Sequence, residues 1–124
     1  MKLYRVMLLD ANGRPVIGTR FGMLGVRPTD PNNTNPGRRF DVAAINPKDT
    51  VMRGEGLSTS LDPNLLKVRS GEGMFELDTA DLPEELRDNP NHPPHCLIEP
   101  STPTTLQDFQ QALADTLDQW QRVQ

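Results

Sequence analysis

Three stretches of this sequence set polar side chains beside apolar, strand-forming residues, and chemistry is possible there. Arg5 lies within residues 2–9 (KLYRVMLL). In an alternating strand it shares a face with Leu3 and Met7. It therefore either points out between apolar neighbours or lines a cleft, where its planar fork would grip an anion. Ser58, Thr59 and Ser60 follow Gly54-Glu55-Gly56-Leu57. Successive hydroxyls on a glycine-flexed backbone offer donors and acceptors for a ribose or an amide. The same run also fits an ordinary turn. Glu99 closes the run His95-Cys96-Leu97-Ile98 and precedes Pro100. A carboxylate at a strand end suits an active site, and it equally suits a plain surface.

Several chemistries are set aside by what is missing. No GxGxxG follows a strand, and there is no Walker loop. His92 and His95 flank Pro93-Pro94, so they do not form a helical metal pair. With Cys96 as the single cysteine, they make a poor zinc set. A Ser-His-Asp hydrolase lacks its GxSxG elbow. Cys96 has no disulfide partner, and its apolar surroundings mark it as a small core residue.

The elements that must position these residues are short. Residues 2–9 predict a strand ending at Asp10-Ala11-Asn12-Gly13, a hairpin signal, with Val16-Ile17 as its return after Pro15. Residues 27–39 (RPTDPNNTNPGRR) hold no apolar side chain except three prolines and predict a long polar surface loop closed by Arg38-Arg39. The sequon Asn32-Asn33-Thr34 in this loop carries no weight in a chain expected to lack a signal peptide. Phe40–Ile45 is a short apolar segment ending at the turn signal Asn46-Pro47, and Thr50–Arg53 leads into the glycines. Asp62-Pro63 reads as a cap with proline at the first helical position. Residues 73–78 predict a strand, 81–86 a short helix, 88–94 a loop and 95–98 a strand stopped by Pro100. Thr102 and Pro103 predict the start of a long helix. Leu106, Phe109, Leu113, Leu117 and Trp120 then form one apolar stripe, with Asp108, Asp115 and Asp118 off it. The fold class is α+β in a single domain, 1–124.

Composition sets the scale of this domain. Of the 124 residues, 35% are hydrophobic and 5% aromatic, and twelve are proline. A membrane span, a coiled coil and a large core are excluded. Charge is unevenly placed. Residues 1–69 hold eleven of the thirteen basic residues and six acids, a formal +5; residues 70–124 carry −9. Either one surface meets an anion, or the two halves pair with each other. The N-terminus lacks an uninterrupted apolar run, so a cytoplasmic protein without a signal peptide is expected, or one exported by a route that uses no cleaved signal.

An arginine on the first strand, Ser-Thr-Ser on a middle strand and an acid on a late strand resembles the order of an ADP-ribosyltransferase site. The chain as a whole resembles the type VI secretion effector toxins of the Tse-two kind. The resemblance is carried by Leu3-Tyr4-Arg5-Val6, Phe40-Asp41-Val42, Gly56-Leu57-Ser58-Thr59-Ser60, Leu77-Asp78 to Leu82-Pro83, and His95-Cys96-Leu97-Ile98-Glu99-Pro100 with the helix ending near Trp120. It implies an ADP-ribosyltransferase-like split β-sheet with short helices and one long C-terminal amphipathic helix. It implies NAD as cofactor, held at Tyr4, Arg5, Arg53 and Leu57, with Ser58, Thr59, Ser60, His95 and Glu99 in catalytic positions. The arginine would bind the NAD phosphates, the hydroxyls would shape the nicotinamide ribose pocket, and the acid would face the positive charge that builds as nicotinamide leaves. The resemblance further implies a toxin acting in a recipient's cytoplasm. A cognate immunity or antitoxin protein would cover a cleft marked by Arg5, Arg38, Arg39 and Arg53. No Gln-x-Glu or Glu-x-Glu occurs at the late strand, so NAD cleavage and transfer to a target both stay open. Two other readings fit the basic half: a non-catalytic nucleic-acid-binding module and an RNA 2′-phosphotransferase-like enzyme. Thin interleaving of aromatic and basic residues weighs against the first, and a pI near 5.1 against the second.

Overall fold

The computed structural model describes residues 1–33 and 40–124. Arg38, Arg39 and Thr34 of the sequon lie outside the described residues. The fold is mixed α+β and mostly antiparallel sheet. Strand β1 (Lys2–Leu8) pairs over its whole length with β4 (Glu72–Asp78), whose outer edge carries β8 (Gln121–Arg122). On the other side, β3 (Leu57–Ser60) pairs with β6 (His95–Pro100), which pairs with the edge strand β5 (Leu86–His92). The sheet order is β5-β6-β3-β1-β4-β8. A two-residue ribbon joins β2 (Thr50–Val51) to β7 (Thr104–Thr105), directly ahead of helix α1 (Leu106–Ala114).

Alternation along β1 buries Leu3 and Met7 completely, against Phe75, Leu77, Leu57 and Ile98 of neighbouring strands. Phe109 and Leu113 of α1 close over this face, with Leu106 at its first turn. Each such side chain gains about 1.5–3 kcal/mol from leaving water, so this one cluster holds most of the apolar stabilisation. The start of α1 is tied to the ribbon. The Leu106 and Gln107 amides donate to the Asp49 and Pro47 carbonyls at 2.9 Å each, satisfying donors that a helix start leaves without partners. Gln110 imitates a peptide, accepting from the Val26 amide and donating to its carbonyl, and so fixes the 24–26 segment against the helix.

The C-terminal helix is shorter than its stripe predicts. Thr105, not Thr102, caps it, accepting from the Asp108 amide at 3.2 Å. It bends after Ala114, where the buried Thr116 hydroxyl donates to the Leu113 carbonyl. A single 3₁₀ turn, Leu117–Gln119, then swings Trp120 onto the core, and its indole N–H donates to Thr116 Oγ1 at 3.1 Å. Spacing alone could not separate this from continued α-helix, because both place Trp120 inside. Residues 81–86 are not helical. Asp78 caps a 3₁₀ turn at Thr79–Asp81, and a turn at 84–85, closed by the Leu86 amide on the Pro83 carbonyl, leads into β5. Residues 88–94 are largely strand rather than loop: Asn89 and Pro90 fit because β5 is a sheet edge, where a missing proline N–H costs nothing. Asp62 caps as expected, but only a 3₁₀ turn, Pro63–Leu65. After the Asn12-Gly13 turn the return is one bridge, Leu9 to Pro15, rather than a strand. Among the described residues no helix is long and apolar enough to cross a membrane.

Close packing between β3 and β6 depends on Gly56. A Cβ there would stand 2.1 Å from the Ile98 carbonyl oxygen. Gly56→Ala should therefore destabilise the fold by about 3 kcal/mol in urea titration, overpacking against an immovable backbone. Unchanged stability would show that the strands can part cheaply. A second expectation concerns acid. Asp10, Asp49 and Asp78 each accept backbone N–H bonds in turns, and each carboxyl is held below its ordinary range, chiefly by those bonds. Groups so lowered stabilise the fold above their unfolded pKa, and that stabilisation is lost as pH falls through the folded values. The urea midpoint should drop between about pH 5 and about pH 2, with a shallower drop in Asp49→Ala.

Candidate functional site

The two halves of the sheet meet at one register pair, Tyr4 with Ser60. Beyond it β1 and β3 part, and a groove of about 520 Å³ opens there. Tyr4, Arg5 and Val6 line it from β1, and Ser58, Thr59 and Ser60 from β3. His95 and Pro94 line it from the start of β6, and Leu65, Leu66, Lys67 and Arg69 from the segment joining β3 to β4. Glu72, at the start of β4, and Phe21 complete the lining. Its volume falls within the range of small-molecule sites.

Arg5 fills the parting. Its Nη1 donates to the Ser58 carbonyl and its Nη2 to the Met23 carbonyl, both at 2.8 Å. Ser58 lies on β3 beyond the last register pair with β1, and Met23 lies in the segment between β1 and β2, so Arg5 ties β1 to both. Arg5 Nε is buried with no hydrogen bond. Loss of hydration lowers the guanidinium pKa to about 10, with nearby Asp41 opposing the shift, so the group remains a cation at neutral pH. Arg5 is thus a wall of the groove and a strut across it.

The three hydroxyls have separate fates. Thr59 is buried and donates to the Cys96 carbonyl at 2.7 Å. Ser60 Oγ donates to the Asp62 carbonyl and accepts from the Asp62 amide, closing the turn after β3. Ser58 Oγ makes no hydrogen bond among the described residues and is open to a ligand. His95 Nδ1 lies 3.0 Å from Asn91 Oδ1, an arrangement that leaves Nε2 for other partners. The Tyr4 phenol pKa is raised, first by loss of hydration and then by its hydrogen bond to Glu76. Burial likewise raises the Cys96 thiol, which lies in the core and outside the groove.

Six of the nine residues singled out from sequence therefore surround one groove: Tyr4, Arg5, Ser58, Thr59, Ser60 and His95. Leu57 does not line it and is fully buried in the core. Glu99 and Arg53 form a separate cluster. The Glu99 side chain is 1% exposed, and its Oε2 lies 3.5 Å from Arg53 Nε and 3.2 Å from Arg87 Nε. Its Oε1 accepts from Asn89 Nδ2. Four residues separate Glu99 from His95 along β6, about 13 Å of strand. The groove's carboxylate is Glu72 instead, and its cations besides Arg5 are Lys67 and Arg69. Neither Lys67 nor Arg69 side chain has an ion-pair partner among the described residues. Their signal in the sequence was a Lys-x-Arg spacing just after the Asp62-Pro63 cap. Among the described residues no group of His, Cys, Asp and Glu could hold a metal ion. Comparison with protein-family models, curated proteins and solved structures finds no match.

If Arg5 is a strut, its removal costs stability before it costs binding. Arg5→Ala strands two carbonyls and should lose about 3 kcal/mol in urea titration. Thr59→Val and Ser60→Ala should each lose about 1 kcal/mol, and Ser58→Ala under about 0.5 kcal/mol. An Arg5→Ala protein as stable as the parent would make the guanidinium a ligand group with no structural duty.

Proposed function

We propose that the groove binds NAD and that the chain is a growth-arresting toxin of the Tse-two kind, built on an ADP-ribosyltransferase-like split sheet. The carrying observation is the single register pair between β1 and β3, with a groove opening where the strands part. A split sheet with an arginine on its first strand and Ser-Thr-Ser facing it is what that resemblance implies.

The groove's chemistry fits the dinucleotide. Lys67 and Arg69 supply unpaired positive charge for a pyrophosphate, and Ser58 supplies an uncommitted hydroxyl for a ribose or the carboxamide. Val6, Leu66 and Pro94 give apolar wall against a ring. NAD when bound supplies an activated ADP-ribosyl group with nicotinamide as leaving group. On the protein's side, Glu72 puts negative charge on the groove wall, one of its oxygens accepting the Arg69 amide at 2.9 Å. His95 puts an imidazole there whose Nε2 is left for a ligand. Glu99, buried beneath two arginines, is assigned no part in the reaction. Phe21 is 73% exposed and Leu65 62% exposed at the groove rim. They are apolar surface of the kind an immunity protein would bury on covering the site.

Titration with NAD tests the reading. The wild-type chain should bind, and the Lys67→Gln/Arg69→Gln double variant should bind at least about tenfold more weakly, a loss of about 1.4 kcal/mol. Tightly controlled expression should arrest growth, and Ser58→Ala should relieve the arrest while melting like the parent. A wild type that ignores NAD but binds RNA with a steep salt dependence would replace this reading with the nucleic-acid-binding one.

A further inference from the structure

The Glu99 cluster is outside the groove, yet its construction is that of a binding site. We propose that Arg53 and Arg87, held side by side by buried Glu99, form a clamp for a phosphate group. This inference rests on no part of the NAD reading.

The argument begins with charge. A buried carboxylate requires one cation to balance it. Glu99 has two within ion-pair distance of the same oxygen, Arg53 Nε at 3.5 Å and Arg87 Nε at 3.2 Å, and that oxygen accepts no hydrogen bond. Its second oxygen is taken by Asn89. The cluster therefore carries a formal surplus of one positive charge. Glu55 forms no ion pair with either arginine; its two carboxylate oxygens accept the Ala43 and Met52 amides. Geometry agrees. The Arg53 side chain is 51% exposed and that of Arg87 44%, against 1% for Glu99. Each guanidinium is thus close to the buried carboxylate while half of its side chain stays open to solvent. Neither guanidinium makes a hydrogen bond among the described residues, and Glu99 is the one acid paired with either of them there. Two planar forks anchored on one buried oxygen match the several acceptor oxygens of a phosphate, and the anchoring reduces the side-chain entropy lost on binding. Glu99 is then a positioning residue: it sets the spacing of the forks and touches no ligand.

Alternation places Glu99 on the same face of β6 as His95, at about 13 Å along the strand. The phosphate could thus be a free ion or one link of a phosphodiester strand that also reaches the groove. Inorganic phosphate and a single-stranded RNA hexamer separate these sources. Phosphate should shift the Arg53 and Arg87 side-chain Nε resonances in ¹⁵N–¹H spectra. Arg53→Lys and Arg87→Lys keep a cation beside Glu99 but remove the fork, so each should melt like the parent and bind phosphate at least about tenfold more weakly. A hexamer that binds more tightly than phosphate, and is weakened by both Arg87→Lys and Lys67→Gln, identifies a strand lying across both sites. A hexamer no tighter than phosphate identifies a small phosphate ligand. Lysine variants that fold and bind phosphate as the parent does would overturn the clamp. So would wild-type Nε resonances that do not move.

Discussion

One buried cation determines how this small sheet is built. Where β1 and β3 stop pairing, Arg5 donates to the Ser58 carbonyl of β3 and to the Met23 carbonyl in the segment between β1 and β2. The interior of a sheet is a poor place for a guanidinium, and its pKa of about 10 shows what dehydration costs it. That cost is borne because the alternative is unpaired backbone at the centre of the fold, which is also destabilising. The compromise has a geometric result. Arg5 bridges β1 to β3 where the register pairing ends, and the same side chain lines the groove that opens there. The site and the structural irregularity are therefore the same object.

Around that opening the rest of the molecule divides its work by face. The side of the sheet carrying Leu3, Met7, Phe75 and Ile98 is closed by α1 and the bent segment ending at Trp120. The other side carries Tyr4, Val6, Ser58, Ser60 and His95. It is only partly covered, by the capped 3₁₀ turn at Pro63–Leu65 and the residues that follow it. Asp62 has a double role here. Its backbone closes the turn with Ser60, and its side chain caps the turn that delivers Lys67 and Arg69 to the rim. A hydroxyl that looks catalytic in the sequence is in this way part of the scaffold that positions the cations.

What was legible in the sequence follows from which forces are local. The strand at 2–9, the strand at 73–78, the Asp62-Pro63 cap and the core face of the terminal stripe were readable, because alternation, capping and amphipathicity act within a few residues. The strand character of Leu86–His92 was not, because Asn89 and Pro90 are poor strand formers that only an edge tolerates, and edge position is a tertiary fact. The bend after Ala114 was hidden for a similar reason: Thr116 ends the helix by bonding to Leu113 and Trp120 once all three are buried together. In the site, the order arginine, hydroxyls, late-strand acid placed Arg5 and the three hydroxyls on one groove but not Glu99, and the resemblance added Tyr4 and His95. It could not say which hydroxyl stays uncommitted, since Thr59 and Ser60 are satisfied by Cys96 and Asp62 across and along the sheet.

Glu99 shows most clearly how position along a strand differs from position in a site. By sequence it is the acid of a late strand, and a carboxylate there invites a catalytic role. In the fold it lies four residues from the groove wall, and Gly56, with no side chain, lets the backbone ahead of β3 pack onto it within a Cβ's reach of its Cα. Burial that complete would be prohibitive for an unpaired carboxylate. The chain meets it with Arg53 from ahead of β3, Arg87 from β5 and Asn89 beside it, so this one charge gathers residues from three parts of the sequence. The uneven charge along the chain is thus partly reconciled inside the fold: an acid of the C-terminal half is neutralised by a base of the N-terminal half. The positive charge left over is the part that remains outward. Among the described residues, part of it lies on one face of the sheet, at Lys67 and Arg69 on the groove rim and at the arginine pair beside Glu99.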